Sequence, residues 1–85
     1  RGVTKDYQEA VKWFLKSANH GHVEAQYFLG MCYDMGRGTP KDVKESFKWN
    51  LKAAKHGYEN AQYQVGLRYY EGLGVNQDYK EAVEW

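Results

Sequence analysis

The segment AQYFLGMCYDMG, from Ala25 to Gly36, returns as AQYQVGLRYYEG from Ala61 to Gly72, a step of thirty-six residues. The same step carries Gly2 to Gly38 and Gly74, Asp6 to Asp42 and Asp78, Trp13 to Trp49 and Trp85, Ala18 to Ala54, and Gly21 to Gly57. A period between about 20 and 50 residues marks a solenoid, in which each unit buries its apolar face only by stacking on its neighbours. The period divides the 85 residues into one repeat segment, with units at 2–37 and 38–73 and a truncated third at 74–85. The chain opens inside what reads as the end of a previous repeat, so it is expected to be a piece of a longer array.

Three Trp, eight Tyr and three Phe argue against a disordered chain, which would be poor in these residues. Twelve Lys and Arg against eleven Asp and Glu leave a net charge of +1, which gives no reason to expect nucleic acid as a partner. No apolar run approaches the roughly 20 residues that cross a bilayer, so direct membrane insertion of this segment is not expected. The single cysteine, Cys32, cannot form an internal disulfide, and the compartment stays open.

Each unit begins with an acidic pair: Asp6 with Glu9, Asp42 with Glu45, Asp78 with Glu81. An Asp at the N-cap followed three residues later by Glu reads as a capping box at a helix start. From Tyr7 to about Asn19 the apolar residues Tyr7, Ala10, Val11, Trp13, Phe14 and Ala18 recur at helical spacing, widened by Leu15. A stripe of that width predicts a helix sandwiched between neighbours. Gly21 and Gly57 fit the turn after this helix, where a left-handed residue satisfies the last carbonyls. A second helix is expected from Val23 or Glu24 to Met35, ending at Gly36, and the second unit repeats the plan over Val43–Lys55 and Glu59–Glu71. A third first-helix begins at Asp78 and is cut at Trp85. Gly30 and Gly66 fall in mid-helix, where each costs about 1 kcal/mol relative to Ala, so both predict close approach of a partner helix. Ala18, Ala25, Ala54 and Ala61 serve the same close packing, with Tyr27, Tyr33, Tyr63 and Tyr69 as the bulk set against them.

The set Ala10, Trp13, Ala18, Gly21, Ala25, Gln26, Tyr27, Gly30, Tyr33, Gly36, Gly38 and Asp42 resembles the Sel1-like repeat, a relative of the tetratricopeptide repeat. It recurs at Trp49, Ala54, Gly57, Ala61, Gln62, Tyr63, Gly66, Tyr69, Gly72, Gly74 and Asp78. The resemblance implies an all-α solenoid of about two and a half repeats, its antiparallel helix pairs stacked into a right-handed superhelix with first helices on the concave side. It also implies a noncatalytic scaffold or adaptor that binds a protein or peptide there. The disulfide-bearing branch of the family is disfavoured, because the matching positions are Ala18 with Ala25 and Ala54 with Ala61. Two departures stand out: Ser46 replaces Ala10, and Asn50 replaces Phe14, which suggests that this second position is peripheral to the core.

Lys12, Lys16, Lys44, Lys48 and Lys52, with Asn50 among them, form the candidate partner-binding set on the first helices. Lys12 aligns with Lys48 and Lys16 with Lys52, so stacking would create a basic strip for an acidic segment. The alternative is an ordinary solvated lysine face. Positions where the units differ, Phe14 and Asn50, Phe28 and Gln64, Asp34 and Tyr70, Met35 and Glu71, offer either peptide anchors or drift at tolerant surface sites.

Other chemistries find little support. His20 and His56 occupy equivalent places about one helix-pair layer apart, too far for shared coordination at about 2.0–2.1 Å, so no metal is expected. Cys32 has no repeated base beside it and reads as a packed residue. Gly36-Arg37-Gly38 and Gly72-Leu73-Gly74 lack the strand and the Lys-Ser or Lys-Thr of a phosphate loop. Trp13, Trp49 and Trp85 read as core pegs, and Gln26 and Gln62 as closing hydrogen bonds to neighbouring loops. No catalytic set and no cofactor site emerge, although a structural or self-associating role within a larger, even enzymatic, protein stays open, including end-to-end association of the array.

Overall fold

The computed structural model describes residues 3–85, with side chains described from Asp6 onward, so Gly2, the first of the repeated glycines, lies outside the described residues. Five helices follow in order: α1 (Val3–Asn19), α2 (Val23–Met35), α3 (Val43–Lys55), α4 (Glu59–Glu71) and α5 (Tyr79–Glu84). Each packs principally on its sequence neighbours, α1 on α2, α2 on α3, α3 on α4 and α4 on α5. The result is an α-solenoid, elongated at 45 × 22 × 15 Å.

Local chemistry sets the ends of the elements. Asp42 and Asp78 are extended N-caps whose side chains accept the N–H of Glu45 and Glu81 at 3.1 Å. Only this half of the capping box forms, because the N–H of Asp42 and of Asp78 donates instead to the carbonyl of Tyr33 and of Tyr69 at the end of the preceding helix. Asp6 behaves differently. The helix there runs back to Val3, with Asp6 inside its first turn.

The second helices close on left-handed glycines, Gly36 and Gly72. Gly38 and Gly74, also left-handed, lie so close to the carbonyls of Tyr7 and Val43 that any Cβ would collide with them. Each inter-unit loop is thereby held against the start of the first helix of its own pair. Gln26 and Gln62 donate to the carbonyls of Ala18 and Ala54 at 3.3 and 3.2 Å, in the last turn of the preceding helix. They fasten the hairpins rather than the loops between units.

The mid-helix glycines face the next unit. A Cβ on Gly30 would meet the Ser46 carbonyl at 3.2 Å and the Asn50 amide at 3.3 Å; one on Gly66 would meet the Ala82 carbonyl at 3.2 Å. Side-chain packing repeats this overlap in two clusters. Ala18, Ala25 and Leu29 enclose Trp49 from the following unit, and Ala54, Ala61 and Val65 with Phe47 and Ala53 take Trp85 from the unit after that. Each core thus takes in the tryptophan of the next unit, and the second also has Val23 and Tyr27 of the hairpin before packed against it.

That plan corrects four expectations. Trp13 is not a core peg: it is 62% exposed against 5% for Trp49, because no hairpin among the described residues lies before it. For the same reason α1 packs principally on α2, and it is α3, between α2 and α4, that is sandwiched. Tyr63 is 68% exposed, whereas the equivalent Tyr27 is covered by Tyr58, ring to ring at 5.1 Å. Asn50, at 1% exposure, is interior rather than peripheral. It sits against Gly30 and donates to Ser46 Oγ at 3.4 Å, so the two departures from the repeat pattern are one polar pair at the inter-unit contact.

Candidate protein-binding face

The helical spacing that points Trp49 toward the preceding unit leaves Lys48 and Lys52 on the solvent side of α3, and Lys12 and Lys16 are placed likewise on α1, all exposed, as is Lys44. Asn50 does not belong with them, being buried at the α2–α3 contact. The lysines are engaged locally and in the same way in both units. Lys12 pairs with Glu9 at 3.9 Å and Lys48 with Glu45 at 3.5 Å. Lys16 lies over the Trp13 ring at 5.2 Å, and Lys52 over Trp49 at 4.7 Å. Exposed pairs of this kind contribute little to stability and are readily exchanged for a partner's charge. Glu9 and Glu45 also reduce the basic character that the lysines alone suggest.

A cavity of about 450 Å³ beside α1 is lined by Glu9, Lys12, Trp13, Leu15, Lys16 and Asn19. A second, of about 330 Å³, lies between α1 and α2 and is mainly apolar, with Phe14, Phe28 and Met35 among its walls. Phe14 and Phe28 stack at 5.6 Å, so two of the positions that differ between units meet here.

Two further differing positions meet across units, a pairing that comparing the units one position at a time does not draw. Arg68 Nη2 binds Asp34 Oδ1 at 3.1 Å, joining the second helices of successive units, with the Arg68 side chain buried. Arg68 aligns with Cys32 and Asp34 with Tyr70. The simultaneous appearance of one cation and one anion where the other unit has neutral residues is the signal that could have found it.

The histidines have local roles. Nδ1 of His20 and of His56 donates to the carbonyl four residues back, Lys16 and Lys52, at 2.8 Å each. His22 and His56 line one shallow cleft, but no group of three metal-ligating side chains occurs among the described residues. Burial pushes the Cys32 thiol above its ordinary value, and the nearby Arg37 offsets this only in part. A thiol held in that direction is a poor nucleophile at neutral pH. None of the helices is long and apolar enough to cross a membrane.

The Sel1 repeat family model matches residues 1–22, 23–58 and 60–85, the middle match being one full thirty-six-residue period. The chain belongs to the Sel1 repeat family. Among solved structures it is similar to a protective antigen present in uropathogenic Escherichia coli strains that displays an SLR fold, at 43% identity and a TM-score of 0.91. The match covers 93% of this chain and 17% of that one. It is similar also to a Sel1 repeat protein from Oxalobacter formigenes, at 38% identity and a TM-score of 0.90, covering 92% of this chain and 32% of that one. The chain thus spans less than a third of the length of each. No curated protein matches it. Sel1 repeats are generally noncatalytic protein–protein interaction modules.

Proposed function

We infer that this Sel1 repeat segment is a noncatalytic adaptor module that receives a protein or peptide on the solvent face of α1 and α3. The observation that carries this reading is the repeated lysine arrangement: Lys12 and Lys16 on one unit, Lys48 and Lys52 on the next, each set holding an acid and a tryptophan ring at matching positions. A partner with acidic side chains at the helix-pair spacing would replace Glu9 and Glu45 as the counter-charges of Lys12 and Lys48. Recognition of this kind favours fast, salt-sensitive association over high affinity. The deciding experiment is capture of partners from native extract by the wild-type chain and by a variant with Lys12, Lys16, Lys48 and Lys52 all changed to Glu. A partner held by the first and lost by the second, with unchanged helical circular dichroism, supports the reading. Retention of the same partners by both variants would put recognition on another face.

A further inference from the structure

The joint between the two hairpins is tied at one end and parted at the other. Beside the connecting loop, the Asp42 N–H donates to the Tyr33 carbonyl at 2.9 Å, and Gly30 lies against the Ser46 carbonyl and the Asn50 amide. At the far end a cleft of about 320 Å³ separates His22, Val23 and Glu24, where α2 starts, from His56, Gly57 and Tyr58, in the turn after α3. The two sides make main-chain bonds within their own hairpins: the His22 N–H to the Ser17 carbonyl at 3.1 Å, the Tyr58 N–H to the Ala53 carbonyl at 3.2 Å. The contact across this end is the Tyr27–Tyr58 ring pair.

Between these ends the joint is polar and unsatisfied. Gln26 Oε1, Trp49 Nε1, Asn50 Oδ1 and Arg68 Nη1 are the buried side-chain atoms without a hydrogen-bond partner among the described residues. All four belong to this joint. Gln26 shares the side of α2 on which Val23, Tyr27 and Gly30 face the second unit; Trp49 packs on Ala18, Ala25 and Leu29 of the first; Asn50 meets Gly30, and Arg68 binds Asp34. Each such atom raises the free energy of the packed arrangement, and two donors beside two acceptors allow a second arrangement close to it in energy. The hairpins themselves are closed by satisfied bonds, Gln26 and Gln62 to the carbonyls of Ala18 and Ala54.

We propose that the α2–α3 joint is a hinge: the two hairpins move as units about the Tyr33–Asp42 bond, the cleft widens and narrows, and Trp49 passes between two sets of polar contacts. Gly30, next to the pivot, offers α3 a surface without a side chain, over which Ser46 and Asn50 slide. Sliding of packed helices about a tied end occurs in microseconds to milliseconds. The motion shifts Lys48 and Lys52 relative to Lys12 and Lys16, but its grounds lie in the joint alone, and it stands apart from the adaptor reading.

Amide and indole nitrogen relaxation dispersion on the 85-residue chain tests it, since that measurement reads the same time range. The amides of Val23, Glu24, Gly57 and Tyr58 and the Trp49 indole should show exchange with one common rate, while those of Tyr33 and Asp42 stay flat. A Gly30→Ala, Asn50→Ala double variant removes Asn50 Oδ1 and sets a methyl group in the space that its amide held. Relieving the packed arrangement in this way should lower the exchange at the cleft by about fivefold. Flat dispersion at the cleft, different rates on its two sides, equal exchange at Tyr33 and Asp42, or an unchanged profile in a double variant that keeps its helical circular dichroism overturns the proposal. The wild-type profile decides by itself if the double variant does not fold.

Discussion

Arg68 and Asp34 show how a single pair of side chains can fix the order of units that otherwise look alike. Arg68 is buried, its Nη2 on Asp34 and its Nη1 without a partner among the described residues. Removing the acid leaves a cation in the interior. Asp34→Ala should therefore destabilise by about 2 kcal/mol, below the roughly 3–5 kcal/mol of a fully buried pair because Asp34 is partly exposed. Arg68→Met, which removes the charge and keeps most of the volume, should cost less than half as much; urea denaturation of the two variants checks the order. At the same scale, Cys32 and Tyr69 both have native pKa values above their ordinary 9.0 and 10.0, each chiefly through burial, with Glu81 and Asp78 adding to the effect on Tyr69. The fold thus prefers their neutral forms. Their contribution is complete below the unfolded values and is lost as pH rises through the raised native ones. The urea midpoint should decline as pH rises above 9, less steeply in Cys32→Ser.

Helices are where periodic sequence is most informative, because a cap or stripe found twice has one cause. The boundaries of α2, α3 and α4 follow from Gly36, Gly72, Asp42 and the apolar spacing, and the structure places them there. The start of α1 did not follow. Asp6 matches Asp42 and Asp78 in letter, but an N-cap also needs the chain to be turned off the helix axis, and at Asp42 that turn is held by the bond to the Tyr33 carbonyl. Asp42→Ala should cost about 1 kcal/mol. Asp6→Ala, which removes only an acid from a first turn, should cost a few tenths. Thermal melts of the two variants side by side would show whether the cap or merely the charge matters.

In the molecule as a whole, position in the array decides what a repeated residue does. Trp13 and Trp49 share a letter and a stripe, yet one is exposed and the other enclosed, since each tryptophan belongs to the core of the unit before its own. Sequence periodicity reveals the stripe but not which neighbour the stripe serves; the same ambiguity placed Asn50 outside the core and among the binding residues. The nearest-neighbour packing also predicts a gradient of local stability. Amide hydrogens of α3 and α4 should exchange slowest and those of α5 fastest, which exchange mass spectrometry can read helix by helix. A uniform rate along the chain would contradict packing by neighbours alone. Finally, the loops that seat Gly38 on Tyr7 and Gly74 on Val43 do so through main-chain atoms. Because that joint asks nothing of the residues displayed outward, a lineage can rewrite the recognition surface of one unit while inheriting its geometry intact.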